Sequence, residues 1–119
     1  MSTSAQVEGV CFVRRWPDDR GMLSFWCPGC RSGHTIHFGP AGTETWQWDG
    51  DGAKPTISPS ILVNGVRGDS SEEWNRAHPR CHSFVRAGRI EFLSDCEHKL
   101  AGQTVELRAL PSSYVKFLT

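Results

Sequence analysis

The chain carries no excess charge of either sign: thirteen Lys and Arg balance thirteen Asp and Glu over 119 residues. Such a surface has no global field to draw the protein toward DNA, RNA or an anionic bilayer, so nucleic acid is not an expected partner. No apolar run approaches the ~20 residues that a membrane-crossing helix requires. The opening MSTSAQVEG has neither the basic nor the apolar region of a signal peptide. These absences set the expectation of a cytoplasmic protein with no membrane partner. Repeats, low-complexity tracts and linkers are missing too, so residues 1–119 read as a single domain. A chain of this length buries roughly two thirds of the surface it exposes when unfolded, enough to fold without disulfides.

Cysteine is present in an odd number, five. In a reducing compartment that count fits a metal site plus a spare rather than paired bridges. Cys11, inside the apolar run VCFV, reads as the spare and as a small hydrophobe. Cys27-Pro28-Gly29-Cys30 is the sharpest local signal, because Pro and Gly suit a knuckle whose amides turn toward two sulfurs. A redox CxxC should open a helix in a βαβ unit, but RSGHTIHFGP, which follows, is turn and strand. His34 and His37 then sit on a short strand facing opposite sides, so only one can join the knuckle. His34 has the better spacing for it, although any single His is commonly just hydrogen-bonded.

The stretch RCHSFVRAGRIEFLSDCEHKLAGQT gathers two more cysteines and two histidines. Its apolar residues alternate on either side of Ala87-Gly88, which predicts a hairpin with a two-residue turn. In that register Arg86 faces Arg89, Val85 faces Ile90, Ser83 faces Phe92 and Cys81 faces Ser94, while His82, Phe84, Glu91 and Leu93 take the other side. Cys81 and His82 therefore point apart. Ser94 with Glu97 resembles a capping box, which predicts a short helix over residues 95–101; if the strand continues instead, Cys96 and His98 share the face of Cys81. Cys81 is the third candidate sulfur, and the fourth ligand is open among Cys96, His98, His34 and His82. Thiolates mixed with imidazole favour zinc.

The remaining segments read mainly as strands. Residues 7–16 and 22–26 fit two strands able to pair as a hairpin, and residues 43–48 a strand with Trp46 and Trp48 on one side. That pair is a possible ligand surface, set against the commoner role of aromatics as core. In KPTISPSILV, Pro59 predicts an edge strand or an extended segment over the sheet, with Thr56, Ser58 and Ser60 as a row of hydroxyls facing either a polar ligand or water. Ser70 and Glu73 suggest a short helix holding Trp74, and residues 114–118 a last strand. The fold class expected is mainly β: a compact antiparallel sandwich or barrel-like sheet with one or two short helices and a zinc-knuckle hairpin.

Taken together, CPGC, His34, WxWDGD, PTISPSI, CHSFVRAGRIEFLSDCEH and LAGQTVEL resemble a family of small phage and prophage proteins, over about residues 25–107. Some members carry the label "ammonia monooxygenase", an activity of a membrane-bound copper enzyme that nothing here matches. Relatives occur near bacterial ubiquitin-like conjugation genes. The resemblance implies zinc bound through Cys27, Cys30 and Cys81, with histidines recurring at His34, His82 and His98; His98 is the preferred fourth ligand. Three functions follow as expectations. The first is a zinc-stabilised module that binds another macromolecule, a host protein in the phage setting. The alternative is a zinc-dependent hydrolase with an open coordination position and a spare His or Glu97 as base. The third, nucleic-acid binding through Arg76, Arg80, Arg86 and Arg89, is offset by neighbouring acids.

Overall fold

A computed structural model describes residues 4–40, 42–43, 45–64 and 78–119. Two antiparallel sheets account for the described strands. The first runs β1 (Ser4–Glu8), β2 (Cys11–Arg15), β3 (Gly21–Cys27), β4 (Ser32–Phe38) in that order. The second runs β5 (Gln47–Trp48), β6 (Ile57–Val63), β7 (Cys81–Arg86), β8 (Arg89–Phe92), β9 (Thr104–Glu106). Among the described residues one helix, α1 (Ser112–Leu118), follows the second sheet. The mainly β expectation holds, and the helix suggested around Trp74 lies outside the described residues.

Both sheets contribute to one core. Cys11, Val13, Leu23, Phe25 and Ile36 come from the first, and Ile57, Ile61, Val85, Ile90 and Phe92 from the second. The alternation that defines the hairpin is realised as read: Ser83 pairs with Phe92, Val85 with Ile90 and Arg86 with Arg89. Cys81, Ser83 and Val85 are buried, while His82 and Phe84 are only half-buried. Ala87 and Gly88 both take positive φ, as a tight hairpin turn requires.

Several expectations are corrected. Residues 7–16 form two strands, because the chain reverses at Gly9, whose φ of 60° and close approach to Gly52 leave no room for a side chain. The tail folds as α1: Tyr114 and Phe117, three apart, stack at 6.1 Å and Tyr114 packs edge-on to Trp26 at 5.5 Å, a pairing a strand would split. No helix forms over 95–101. The Glu97 carboxylate that would have closed a capping box accepts the Arg80 N–H at 2.8 Å, and the chain passes instead through successive turns to Gly102. Nor is β6 an edge strand, since β5 and β7 flank it. Its pairing with β7 slips between Ile57 and Ile61, and this irregularity carries Pro59 and leaves it exposed.

Candidate active site and metal centre

Ser60 alternates with the buried Ile57 and Ile61 of β6, and Leu62 pairs with His82 on β7, so Ser60 and His82 come together on the face away from the core. His82 Nε2 lies 3.1 Å from Ser60 Oγ, and His82 Nδ1 lies 3.2 Å from Asp95 Oδ2. With the carboxylate ionised, Nδ1–H donates to Asp95 and the Nε2 lone pair accepts the Ser60 hydroxyl proton. A nucleophile, a base and a residue orienting the base thus stand in one line. The base is about a quarter exposed and Asp95 nearly half, at 27% and 46%.

Ser60 and His82 are both held through their backbones. The Trp46 indole N–H donates to Ser60 O at 3.2 Å. Trp46 also walls a shallow cleft of about 220 Å³ with Thr43, Thr45 and Pro59, next to the nucleophile. His82 O accepts the Leu93 N–H at 2.9 Å and the Cys96 thiol at 3.1 Å, and the His82 N–H donates to Cys96 Sγ at 3.2 Å.

Sequence reasoning named Ser60 only within a row of hydroxyls and His82 only as a metal candidate, and passed over Asp95. A signal existed. The hairpin register puts Leu93 on the face of His82, and two residues further along the same alternation lies Asp95.

On the opposite side of β7 lies the cysteine cluster. Cys27 ends β3, Cys81 begins β7, and their sulfurs are 3.9 Å apart across the two sheets. Cys30 closes the knuckle, its N–H donating to Cys27 Sγ at 3.4 Å, with Arg31 N–H to Cys27 O at 2.8 Å. A ring nitrogen of His34 completes a group in which the four ligand atoms lie within 4.8 Å of one another. The chemistry of this donor set fits a tetrahedral metal. Sulfurs on such an ion stand ~3.8 Å apart, and His34 Nε2 is buried without a hydrogen-bond partner. All five cysteines are free thiols.

The cluster also concentrates negative charge. Hydrogen bonds from Cys30 and then Cys81 hold the Cys27 thiol well below its usual range. The bond to Cys27 pushes Cys30 up to about 12, and bonds to Cys27 and Cys30, with burial, push Cys81 up as well. One sulfur ionises at the expense of its neighbours, and a cation among them removes that conflict.

His98 lies elsewhere, grouped with Cys81 and Cys96. Its Nδ1 accepts the Leu100 N–H at 3.2 Å, which leaves the proton of a neutral ring on Nε2. Burial keeps the ring neutral, lowering its pKa, and it packs edge-on to Phe92 at 4.4 Å and over Gly29 of the knuckle. Trp48 donates to Asp51 O at 3.2 Å and packs with Phe38 at 5.2 Å, so both tryptophans lean on the core. Arg86 stacks over Phe84 at 4.3 Å and pairs with Glu91 at 3.1 Å.

The fold and site define a two-sheet β protein that bears a Ser–His–Asp array on one side of a strand and a cysteine-rich cluster, able to hold a metal ion, on the other. Residues 2–93 match the family described as bacterial ubiquitination-like system serine protease (BubE), and the chain belongs to that family. No curated protein and no solved structure matches it.

Proposed function

We propose that this protein is a serine hydrolase that cuts a peptide or isopeptide bond formed by the C-terminus of a ubiquitin-like protein, with a zinc ion as structural clasp. The observation that carries the reading is the pair of contacts made by one imidazole, 3.1 Å to Ser60 Oγ and 3.2 Å to Asp95 Oδ2. The family description supports it by naming a serine protease of a ubiquitination-like system.

In this mechanism Ser60 Oγ attacks the scissile carbonyl carbon as its proton passes to His82 Nε2. His82 then gives that proton to the departing amine, the C–N bond breaks, and the acyl group remains on Ser60. Water, deprotonated by the same Nε2, attacks the ester; the carboxylate product leaves and Ser60 recovers its proton. Asp95 keeps the ring in the required tautomer and stabilises the imidazolium.

Cys27, Cys30, His34 and Cys81 would hold the metal, and zinc suits a set of three sulfurs and one imidazole. Four protein ligands would close the shell, so the metal would supply folding energy and place β7 against β3. The macromolecule that the sequence led us to expect as a binding partner is, on this reading, the substrate.

The test is cleavage of a ubiquitin-like protein extended at its C-terminus by a short peptide. Release of the peptide by wild type and not by Ser60→Ala is expected. Equal release by both would overturn the reading.

A further inference from the structure

At His82 the ladder is only half made: the last registered pair between β7 and β8 is Ser83 with Phe92, and beyond it Leu93 N–H still donates to His82 O at 2.9 Å, while the His82 N–H goes to a side chain. A base held there by strand pairing alone would have an unserved N–H on that side. Cys96 supplies what the strand does not. Its sulfur accepts the His82 N–H at 3.2 Å and its S–H donates to His82 O at 3.1 Å, a reciprocal clasp on one residue. The side chain is 8% exposed, so water does not substitute for it.

We propose that Cys96 is a positioning residue for the catalytic base. It acts as a protonated thiol lying beside the metal cluster, not as a ligand within it. This inference rests on the triad reading above. The chemistry of the clasp requires the proton: a thiolate would keep the His82 N–H but would set a negative sulfur against the His82 carbonyl. The Cys96 sulfur also lies within 4.8 Å of the Cys81 sulfur and a His98 ring nitrogen, and what sets it apart from Cys27, Cys30 and Cys81 is its pair of hydrogen bonds to the His82 backbone. Displacing a catalytic group by 1 Å costs about 10²-fold in rate, which is the scale on which a loosened His82 is felt.

The experiment uses the metal-loaded protein and three variants: Cys96→Ser, which keeps donor and acceptor, Cys96→Val, which keeps the volume and loses both, and Cys96→Ala. The readouts are kcat and KM for p-nitrophenyl acetate, labelling of Ser60 by a fluorophosphonate, metal content, and amide hydrogen exchange at His82. Val and Ala variants are expected to lose about 10- to 100-fold in kcat with KM little changed. Ser is expected to recover most of that loss. Metal content stays at the wild-type level in all three, and the His82 amide exchanges faster in Val and Ala than in Ser.

Equal kcat and equal His82 exchange in wild type and Cys96→Val would overturn the proposal, as would loss of metal from every Cys96 variant. If wild type itself neither turns over ester nor labels, the triad reading fails. The exchange rates still decide separately whether Cys96 clasps His82.

Discussion

Cys81 and His82 are consecutive residues of β7 that serve two different sites. Cys81 points inward, its sulfur 3.9 Å from that of Cys27, while His82 points outward, its Nε2 3.1 Å from Ser60 Oγ. The alternation of a strand makes this division unavoidable. Whatever fixes Cys81 to the first sheet also fixes the height and tilt of the base. On the proposed reading, a metal held at Cys81 and a base at His82 would be coupled through one peptide bond, without the metal touching substrate.

The triad predicts graded losses. Ser60→Ala should abolish acyl transfer, a fall of about 10⁶-fold in kcat where the nucleophile of such a unit is removed. Asp95→Asn should cost less than the ~10⁴-fold seen for a buried triad carboxylate, because Asp95 is nearly half exposed and water shares its work. About 10²-fold is expected. Steady-state kinetics on the ester and on the peptide-extended substrate check both, with circular dichroism unchanged.

Removal of the metal is expected to act on stability first. One zinc per chain should be found by elemental analysis, and a strong chelator should lower the melting temperature and activity together. Cys27→Ser, Cys30→Ser, Cys81→Ser and His34→Ala should each lose the ion, at a cost of several kcal/mol, since the binding energy of such a site is folding energy. His98→Ala should keep it. His98 Nδ1 accepts the Leu100 N–H, and the ring lies against Gly29 of the knuckle with Nε2 buried and unpartnered; loss of the ion from His98→Ala and not from His34→Ala would make His98 the fourth ligand instead.

Cys11 should behave as core. It is fully buried, and burial first, with nearby carboxylates next, pushes its thiol up to about 12. A thiol whose folded pKa is raised contributes stability that is intact below its unfolded value and is lost as pH rises through the folded one. Urea titrations should therefore show stability falling between about pH 9 and pH 12, and less steeply in Cys11→Val than in wild type. Near neutral pH, Cys11 should resist alkylation in the native protein and react once it is unfolded.

Gly33→Ala probes the helix from the residue beside His34. A Cβ at Gly33 would collide with the Tyr114 phenol. The substitution should lift α1 away from Trp26, changing tryptophan fluorescence and costing roughly 1–3 kcal/mol as overpacking does. Hydrolysis should be unaffected as long as metal content, measured alongside, stays at the wild-type level, because α1 packs on the first sheet and the triad sits on the second.

How much of this was legible in the sequence depended on whether a feature was local. The hairpin register from Cys81 to Phe92 followed from strict alternation around Ala87-Gly88, and with it the opposed directions of Cys81 and His82. The knuckle followed from CPGC, and the third sulfur from Cys81. His34 was visible in the spacing after Cys30 but was ranked below His98, whose place depends on turns rather than on any periodic element. The nucleophile was hidden for a different reason. Ser60 and His82 share a face by ordinary alternation, because the slip in β6 leaves Ile57 and Ile61 both inward, but that β6 pairs with β7 at all is a long-range fact that no local pattern states. Asp95 was hidden by the capping box it adjoins: the sequence offers Glu97 to Ser94, whereas the folded chain spends it on Arg80. Likewise Tyr114 to Leu118 alternates like a strand, and only Trp26 and Gly33, far along the chain, favour the helix.

Intact-mass analysis after exposure to a fluorophosphonate asks the central question in one step. If Ser60 is activated by His82, wild type gains a single adduct that peptide mapping places on Ser60, and both Ser60→Ala and His82→Ala gain none. An unmodified wild type with its metal in place, or an adduct that persists in Ser60→Ala, would contradict the account.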